Sequence, residues 1–319
     1  MTMEYTTTLS AHEPVVITIG NFDGIHLGHQ RLMHETAELA LELHSKPALV
    51  TFLPHTLMVV RPDLYVRYLS TLDEKLALTA RYGGIFDNIV IHFTPEVASM
   101  SAEHFMDTLC DRFSIQGLVV GANFSLGHNR MGDISFLEHY GLDHSIQVRA
   151  ISLEEADHAR ISSTRIRSLV NEGRVSEANE LLGHPLLISG SVIHGDERGR
   201  LLGFPTANLQ VDPHKLLPSD GVYAVLVHVH NGTISDSNTS STVYNGVVNI
   251  GLRPTFNGKE RLVEAHLLDV DLDLYDKWLT IDFIAHLRNE QRFSGIDALK
   301  TQIASDVQQA RQILSATGG

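Results

Sequence analysis

Residues 15–29, VVITIGNFDGIHLGH, constrain the fold more than any other stretch, because an apolar strand there runs directly into a glycine turn and a helix. Val15, Val16, Ile17 and Ile19 form the short, nearly continuous apolar run typical of a strand that is buried on both faces. Gly20 ends this run, Gly24 loosens the turn, and the helical spacing of apolar residues begins near Leu27. A strand that leads into a helix in this way is typical of a parallel α/β sheet.

Two histidines stand at the start of this predicted helix. His26 and His29 are three residues apart, so both rings face the same side of the first turn. The free backbone N–H groups and the positive end of the helix dipole point the same way, which suits a polyphosphate. For this motif taken alone, two surface histidines on an amphipathic helix remain the alternative.

The rest of residues 1–183 alternates strands with helices, which predicts a parallel sheet with its ligand crevice at the carboxyl ends of the strands. The predicted strands are residues 47–52, 87–93 and 117–121, the predicted helices are residues 72–80 and 101–113, and residues 53–63 are predicted as a loop. The candidates for ligand contact at these strand ends are His26, His29, His55 and the loop at residues 121–133.

Residues 161–167, ISSTRIR, predict a second anion site. Ser163 or Thr164 is suited to cap a helix whose first turn carries Arg165 and Arg167. An ordinary helix cap beside a surface arginine is the alternative for this segment taken alone.

Beyond residue 183 the pattern changes from helical to alternating, so we predict a domain boundary there, with domains at 1–183 and 184–319. Successive strands without intervening helices indicate an antiparallel barrel or sandwich. The predicted strands are residues 190–195, 221–229, 241–251, 262–270 and 277–287, and residues 231–242 are predicted as a polar hairpin loop. A final helix carries an apolar stripe of Ile296, Leu299, Ile303, Val307, Ala310 and Leu314.

Residues 195–209, GDERGRLLGFPTANL, combine glycines with two oxygen ligands. Thr206 and Asn208 lie on one side of an extended segment, and their neutral oxygens suit Mg²⁺ that bridges phosphates. Gly195 and Gly203 are among the glycines that would let the backbone close over a nucleotide. In the strand at 262–270, Glu264 faces away from the apolar residues on either side, so its carboxylate is presented to solvent or ligand. A glycine-rich turn and an exposed glutamate are the alternatives.

Composition excludes several classes of protein. A formal charge of −14 over 319 residues argues against a general nucleic-acid binder, and the single cysteine, Cys110, excludes an internal disulfide. The 19 histidines are scattered and have no Cys-x-x-Cys partner, so a structural zinc is not expected. The N-terminus is not a secretory signal and no apolar run is long enough to span a membrane, so a soluble cytoplasmic protein without membrane or nucleic-acid partners is expected.

The motifs together carry a family resemblance. GNFDGIHLGH resembles the signature of the His-x-Gly-His nucleotidyltransferases, specifically their flavin branch, and ISSTRIR resembles the second signature of that family. Residues 205–208, 249–256 and 263–269 (PTAN, NIGLRPTF and VEAHLLD) resemble the riboflavin kinase signatures in order and spacing. From residue 15 to about 314 the chain therefore resembles the prokaryotic bifunctional riboflavin kinase and FAD synthetase family.

This resemblance implies a Rossmann-like nucleotidyltransferase domain followed by an antiparallel β-barrel with a C-terminal helix. It implies phosphorylation of riboflavin to FMN in the second domain and adenylylation of FMN to FAD in the first, both with ATP and Mg²⁺. Glu264 is then the base that activates the ribityl hydroxyl, and His26 and His29 stabilise charge during adenylyl transfer. The nucleotide contacts are Gly20, Phe22, Asp23, Gly24, His26, His29, Ser163, Thr164, Arg167, Gly195, Gly203, Thr206 and Asn208. The flavin contacts are His55, Asn123, Arg253 and Glu264, and the metal ligands are Thr206 and Asn208.

Some positions depart from the family pattern. In the first domain, Leu53 and Thr56 stand where the family usually has a polar residue and a second proline, and Asn123 stands where many members have aspartate. In the second domain, Leu272 and Asp276 replace glycines of the usual pattern. Three alternatives therefore stay open. The chain could be a riboflavin kinase with a degenerate first domain, a flavin sensor without catalysis, or a nucleotidyltransferase for another acceptor.

Overall fold

The computed structural model describes residues 3–10, 12–152, 155–156, 159–194, 199, 203–232, 241–255 and 258–317; for 155–156, 159–160, 253–255, 258–260 and 317 it describes the backbone alone. Contacts between residues divide the chain into two compact units. The front unit comprises Met1–Tyr68 and Lys75–Ser162, and the rear unit comprises Leu69–Glu74 and Ser163–Gly319.

The front unit is built on one sheet. Its strands are β1 Tyr5–Thr7, β2 Pro14–Ile19, β3 Lys46–Leu53, β4 Asp87–His92, β5 Ser114–Gly121 and β6 Gln147–Ile151. They form a six-stranded sheet in the order β1-β4-β3-β2-β5-β6, parallel throughout except that β1 is antiparallel to β4. The predicted parallel α/β sheet is therefore confirmed. A short hairpin of β7 Glu155–Ala156 and β8 Ala159–Arg160 follows it.

The helices that alternate with these strands are α1 Leu27–Glu42, α2 Thr56–Val60, α3 Leu72–Leu78, α4 Pro95–Ala98, α5 Ala102–Cys110 and α6 Ile134–His144. Ser101 caps α5 by accepting a hydrogen bond from the His104 N–H at 3.1 Å. The helix predicted at residues 72–80 continues as a π-helical turn, Thr79–Gly83, and ends where Gly84 adopts a φ of +65°.

Burial explains why β2 is almost continuously apolar. Val16 and Ile17, which point to opposite faces, are both fully buried. Leu32, Met33 and Leu39 of α1 are buried as well. The sheet is thus covered on both faces, which leaves the carboxyl ends of its strands as the place for a ligand.

The rear unit is a closed barrel with helices around it. Its elements are α7 Ser163–Asn171, α8 Val175–Leu182, β9 Leu186–Ile193, β10 Ala207–Gln210, β11 Gly221–His230, β12 Ser241–Thr255, β13 Gly258–Leu267, β14 Trp278–Asn289 and α9 Ile296–Thr317. The strands close antiparallel in the order β10-β13-β12-β11-β14-β9. The predicted antiparallel barrel and C-terminal helix are confirmed. Of the hairpin loop predicted at 231–242, residues 233–240 lie outside the described residues.

The apolar residues at alternate positions of β14 are fully buried only in the first half of the strand. Leu279, Ile281 and Phe283 are fully buried, whereas Ala285 and Leu287 are only partly buried. The pairing of β11 with β14 shifts register twice near Tyr223, which turns the end of β14 out of strict alternation.

The apolar stripe of α9 packs on the barrel through its C-terminal half. Ala310 and Leu314 are buried in a cluster with Val222 and Ala224 of β11. Ile296 was predicted to belong to this stripe, but it is 64% exposed. It is the first residue of α9, where the helix has not yet reached the barrel cluster.

A buried ion pair joins the two chain segments that make up the rear unit. Lys215 and Glu74 are fully buried, with 2.5 Å between Nζ and Oε2. The Lys215 ammonium also donates to the Leu69 carbonyl at 2.6 Å and to the Leu187 carbonyl at 2.5 Å. The other Glu74 oxygen accepts from the Ser189 N–H at 2.8 Å and from its hydroxyl at 2.9 Å. Both charges are therefore compensated by several hydrogen bonds, as burial requires.

No helix among the described residues is long and apolar enough to cross a membrane.

We predict that Lys215→Met lowers the free energy of unfolding by about 3–5 kcal/mol, because the Glu74 carboxylate stays buried without its counter-charge. Urea unfolding measures this change. Adding Glu74→Gln to the same chain should recover part of the loss, because the uncompensated charge is then removed. The control is Arg311→Met, whose partner Asp269 is 72% exposed, and it should cost less than about 1 kcal/mol. An equally small effect of Lys215→Met would contradict the prediction.

Candidate active sites in the two units

The turn between β2 and α1 has an unusual backbone that the sequence allows at specific points. Gly24 has a φ of +87°, and Phe22 and Ile25 have positive φ values of 47° and 42° although they carry side chains. A Cβ atom at Gly20 would lie 3.2 Å from the ring of Phe22, so glycine leaves room for that ring. Strain of this kind is characteristic of functional turns. We name residues 20–24 the phosphate turn.

His26 and His29 come together as predicted. His26 is the N-cap of α1, and its Nδ1 atom accepts a hydrogen bond from the His29 N–H at 3.3 Å. Since Nδ1 accepts, we infer that the His26 proton resides on Nε2. The two rings stack with centroids 3.6 Å apart, and the Phe22 ring meets His29 edge-on at 5.1 Å.

The electrostatics of this pair differ from those of two surface histidines. Burial, followed by the neighbouring His26 and Lys75, holds the pKa of His29 well below its ordinary value of 6.5. At neutral pH the ring is therefore an uncharged imidazole that donates one hydrogen bond rather than a cation. Asp23, in the same turn, is almost completely buried.

His55 is the N-cap of the short helix α2, so the prediction that residues 53–63 form a loop is wrong in part. Its Nδ1 atom accepts from the Leu57 N–H at 3.2 Å and thereby caps α2. Thr56 donates its N–H to the Asn21 side-chain oxygen at 3.2 Å, and its hydroxyl accepts from the Asn21 amide at 2.9 Å. A proline at position 56 would lack this N–H, which gives the departure from the family pattern a structural role.

The remaining front-unit candidate, Asn123, lies exposed in the turn that directly follows β5. Asn123 and the phosphate turn both lie at the carboxyl edge of the sheet, because β5 and β2 are neighbouring parallel strands.

Ser163, Thr164 and Arg167 lie in the rear unit, on α7. The helix begins at Ser163, so Ser163 and Thr164 are its first residues, and the prediction that one of them precedes the helix as its cap is off by one position. The run Ser-Ser-Thr provides three cap-type side chains, so its composition does not say which of them precedes the helix.

The rear-unit candidates form a polar row across three barrel strands. Asn208 of β10 is directly opposite Glu264 of β13, and Glu264 is directly opposite Asn249 of β12. Their neighbours along β13, Val263 and Ala265, are buried in the barrel as predicted. We name Asn208, Glu264 and Asn249 the polar row.

The polar row lines a cavity of about 490 Å³, which is within the range of small-molecule sites. Apolar side chains, among them Phe293, Leu299 and Ile303, line it as well. A second cavity of about 250 Å³ is bounded by Leu272, Tyr275 and Ala265. Thr206 lines both cavities, so it stands where two molecules bound in them would meet.

Several residues of the larger cavity were not predicted as site residues: Asn249, His266, Arg288, Glu290 and Gln291. Burial first, and then the nearby Asp220, raise the pKa of Glu290, and Glu264 contributes in the same direction. Asn249 lies in the NIGLRPTF motif, which could have indicated it, whereas Glu290 follows β14 without any local signal.

The other predicted rear-unit residues are described only in part. Gly203 has a φ of +88°, a conformation that favours glycine. Gly195 and the side chain of Arg253 lie outside the described residues. Asp276 has a φ of +59°, which explains why glycine is the usual residue there.

Thr206 and Asn208 would suit a Mg²⁺ ion. Both side chains line the same cavity, and both provide neutral oxygen atoms, the donors that Mg²⁺ takes together with water and phosphate. Among the described residues no cluster of three or more His, Cys, Asp or Glu side chains forms a metal site.

Comparisons with known proteins match both halves of the chain. The family model of FAD synthetase matches residues 8–165, and that of riboflavin kinase matches residues 182–314. A bifunctional riboflavin kinase/FMN adenylyltransferase of Pseudomonas fluorescens is 38% identical, covering 95% of this chain and 94% of the relative. The protein of that description from Escherichia coli K12 is 36% identical over 96% and 94%, and the one from Listeria monocytogenes 33% over 95% and 97%.

A solved structure has the same fold along the whole chain. The crystal structure described as a macrolide-efflux protein from Streptococcus pneumoniae superposes with a TM-score of 0.83 at 28% identity, covering 95% of this chain and 96% of that one.

These matches define a chain with one adenylyl-transferring region and one kinase region. It belongs to the family of bifunctional riboflavin kinases/FMN adenylyltransferases. Because both regions match, the bifunctional prediction is confirmed, and the kinase-only and sensor alternatives are not supported.

We predict that the His29 ring stays neutral at pH 6, because burial opposes its charge. Titration of the ring C–H signals by NMR, assigned with His29→Ala, measures its pKa. His26→Asn should raise this pKa, because the unfavourable electrostatic effect of the His26 ring on a charged His29 is removed, yet leave it below 6.5, because burial is the larger cause. A wild-type pKa at or above 6.5 would show that the ring is solvated in solution.

Proposed function

We propose that the rear unit transfers the γ-phosphoryl group of ATP to riboflavin through the polar row, and that the front unit transfers the adenylyl group of a second ATP to FMN through the phosphate turn and its two histidines. The polar row in its cavity is the observation that carries this assignment, because it gathers a carboxylate and two amides that are distant in sequence.

Phosphorylation requires a base, because the ribityl hydroxyl is a poor nucleophile near neutral pH. Glu264 is the candidate: its carboxylate lines the larger cavity, and Asn208 and Asn249 are the residues opposite it on either side. Glu264 accepts the hydroxyl proton as the oxygen attacks the γ-phosphorus and the bond to the departing ADP breaks.

Thr206 divides the substrates between the two cavities. We assign riboflavin to the larger cavity, whose apolar side chains suit a flat aromatic ring, and ATP to the smaller one. Thr206 and Asn208 would hold Mg²⁺, which when bound neutralises charge on the phosphates. Gly195 and Gly203 would let the chain approach the nucleotide, and Arg253 and Glu264 would contact the flavin.

Adenylyl transfer needs alignment rather than a base, because a phosphomonoester such as FMN has a second pKa of about 6 and is largely ionised. The imidazoles of His26 and His29 can donate hydrogen bonds to the α-phosphate as its charge increases, while an oxygen of the FMN phosphate attacks the α-phosphorus and pyrophosphate leaves. In the phosphate turn, Gly20, Phe22, Asp23 and Gly24 would contact the nucleotide.

The remaining assignments rest on the motifs. Ser163, Thr164 and Arg167, at the N-terminus of α7, would bind ATP phosphates, since a helix N-terminus and an arginine both favour anions. His55 and Asn123 would contact the flavin, because both lie at carboxyl ends of strands of the front sheet.

We also propose that the two activities divide near residue 183, which falls next to the gap between the matched regions 8–165 and 182–314. Riboflavin, FMN and ATP would be the binding partners, without nucleic acid or membrane, and the cytoplasm would be the location, because ATP and flavins are available there.

Incubation of the full chain with riboflavin, ATP and Mg²⁺, followed by chromatography, tests the proposal. FAD is the expected end product, with FMN as an intermediate. FMN without FAD would overturn the assignment of the front unit, and no product would overturn both assignments.

We predict that His29→Ala lowers FAD formation from FMN by about 100-fold or more, the usual effect of losing one preorganised donor. Riboflavin phosphorylation by the same protein serves as the control and should be unchanged. A parallel loss of both products would contradict a separation of the two sites.

We predict that Glu264→Gln lowers riboflavin phosphorylation by at least about 100-fold, because the amide cannot accept the proton. Supplied FMN should still be converted to FAD at the wild-type rate. Glu38→Gln, at an exposed glutamate, is the matched control and should phosphorylate normally. Normal activity of Glu264→Gln would remove Glu264 from the role of base.

A further inference from the structure

Lys75 is a buried lysine that the assignments above do not use. It lies on α3 and is 6% exposed, whereas a lysine is seldom buried unless it is paired. Its ammonium group donates to the Thr51 hydroxyl at 3.1 Å. Thr51 lies on β3 and is itself fully buried.

Hydrogen bonds connect Lys75 to the phosphate turn. The Thr51 hydroxyl, which accepts from Lys75, donates to the Asn21 carbonyl at 3.2 Å. The backbone of the turn is also attached to β3 where the Gly20 N–H donates to the Val50 carbonyl at 3.0 Å. Lys75 therefore orients the hydroxyl that supports the turn from the side of the sheet.

Lys75 interacts electrostatically with Asp23 of the phosphate turn and with His29 of α1. The buried Asp23 carboxylate favours the charged form of Lys75, and the charge of Lys75 in turn disfavours protonation of His29. His26 acts on His29 in the same direction. A fixed ammonium thus stands close to two residues of the phosphate turn and its histidine pair, where the imidazole of His29 itself carries no charge.

We propose that Lys75 is a positioning residue for adenylyl transfer: its ammonium group fixes the phosphate turn through Thr51 and Asp23 and provides positive charge beside His29. This inference rests on the proposed function of the front unit. It adds a residue from α3, outside both family motifs, to the groups that prepare the site for a polyphosphate.

A purely structural role of Lys75 would lead to a different expectation. Removing one partner of a buried charged pair lowers stability, so Lys75→Met is expected to lower the melting temperature whatever the role of Lys75. If that role were purely structural, adenylyl transfer by the folded Lys75→Met protein would be unaffected. The distinction therefore requires kinetics together with a measurement of folding.

The test compares Lys75→Met and Lys75→Arg with the wild-type chain. For Lys75→Met we expect about a 100-fold fall in kcat for FAD formation, since a small displacement of aligned groups has this effect. Riboflavin phosphorylation, measured on the same protein, should remain close to wild type, and circular dichroism should show that the protein is folded. Lys75→Arg keeps the charge and should recover part of the loss. Lys46→Met, which removes an exposed lysine of the same unit, is the control and should change neither activity.

The pH dependence of FAD formation is a further test, because a purely structural role of Lys75 would not change it. Burial lowers the pKa of Lys75 to about 8, against the opposing effect of Asp23. The ammonium is charged below that pH, so FAD formation should decline as pH rises through about 8. In Lys75→Arg this alkaline decline should move to higher pH, because arginine stays protonated.

The outcomes separate this inference from the proposed function. If His29→Ala abolishes FAD formation but Lys75→Met retains wild-type kcat and the same alkaline limb, the inference is overturned and the proposed function stands. If neither variant affects FAD formation, the proposed function of the front unit fails as well. If Lys75→Met unfolds, the pH profile of Lys75→Arg decides: an unchanged alkaline limb overturns the inference.

Discussion

The strand register of the barrel is the constraint on which the rear site depends. Asn208, Glu264 and Asn249 meet only because three antiparallel strands pair residue by residue across a closed sheet. Side chains alternate between the two faces of a strand, so a slip of one residue would turn Glu264 into the barrel core and bring Val263 or Ala265 into the cavity. Burial of those two neighbours opposes such a slip, and the apolar core therefore holds the carboxylate in place.

The two units offer different groups for binding anionic substrates. With a net charge of −14 the chain has no general attraction for phosphate, so favourable charge has to be local. In the front unit, the two histidines at a helix N-terminus are suited to donate hydrogen bonds, His29 as an uncharged ring, and the buried Lys75 lies close to them. In the rear unit, Thr206 and Asn208 present neutral oxygens that suit a cation rather than the phosphate itself.

Local patterns predicted most of the fold. The strand, turn and helix around Gly20 and the alternation in β13 depend on neighbouring residues, so their periodicity was sufficient. β1 and β10 are three and four residues long, too short for a period to emerge. The helix α2 was missed because its cap is His55, which is not among the usual cap residues. Ile296 matched the period of α9, yet a period does not say where contact with the barrel begins.

The candidate sites were predictable only as far as motifs reached. His29 and Glu264 stand inside recognisable strings, whereas Asn249 and Glu290 enter the larger cavity through strand pairing and chain return, which no local pattern encodes. Lys75 shows the limit most clearly. In the string LDEKLAL it has the spacing of an ordinary surface lysine on an amphipathic helix, and only the folded sheet brings Thr51 and the phosphate turn against it. A buried charged residue that supports a site through its neighbours therefore has to be identified from burial and hydrogen bonds. Its sequence context is the same as that of a solvent-exposed residue.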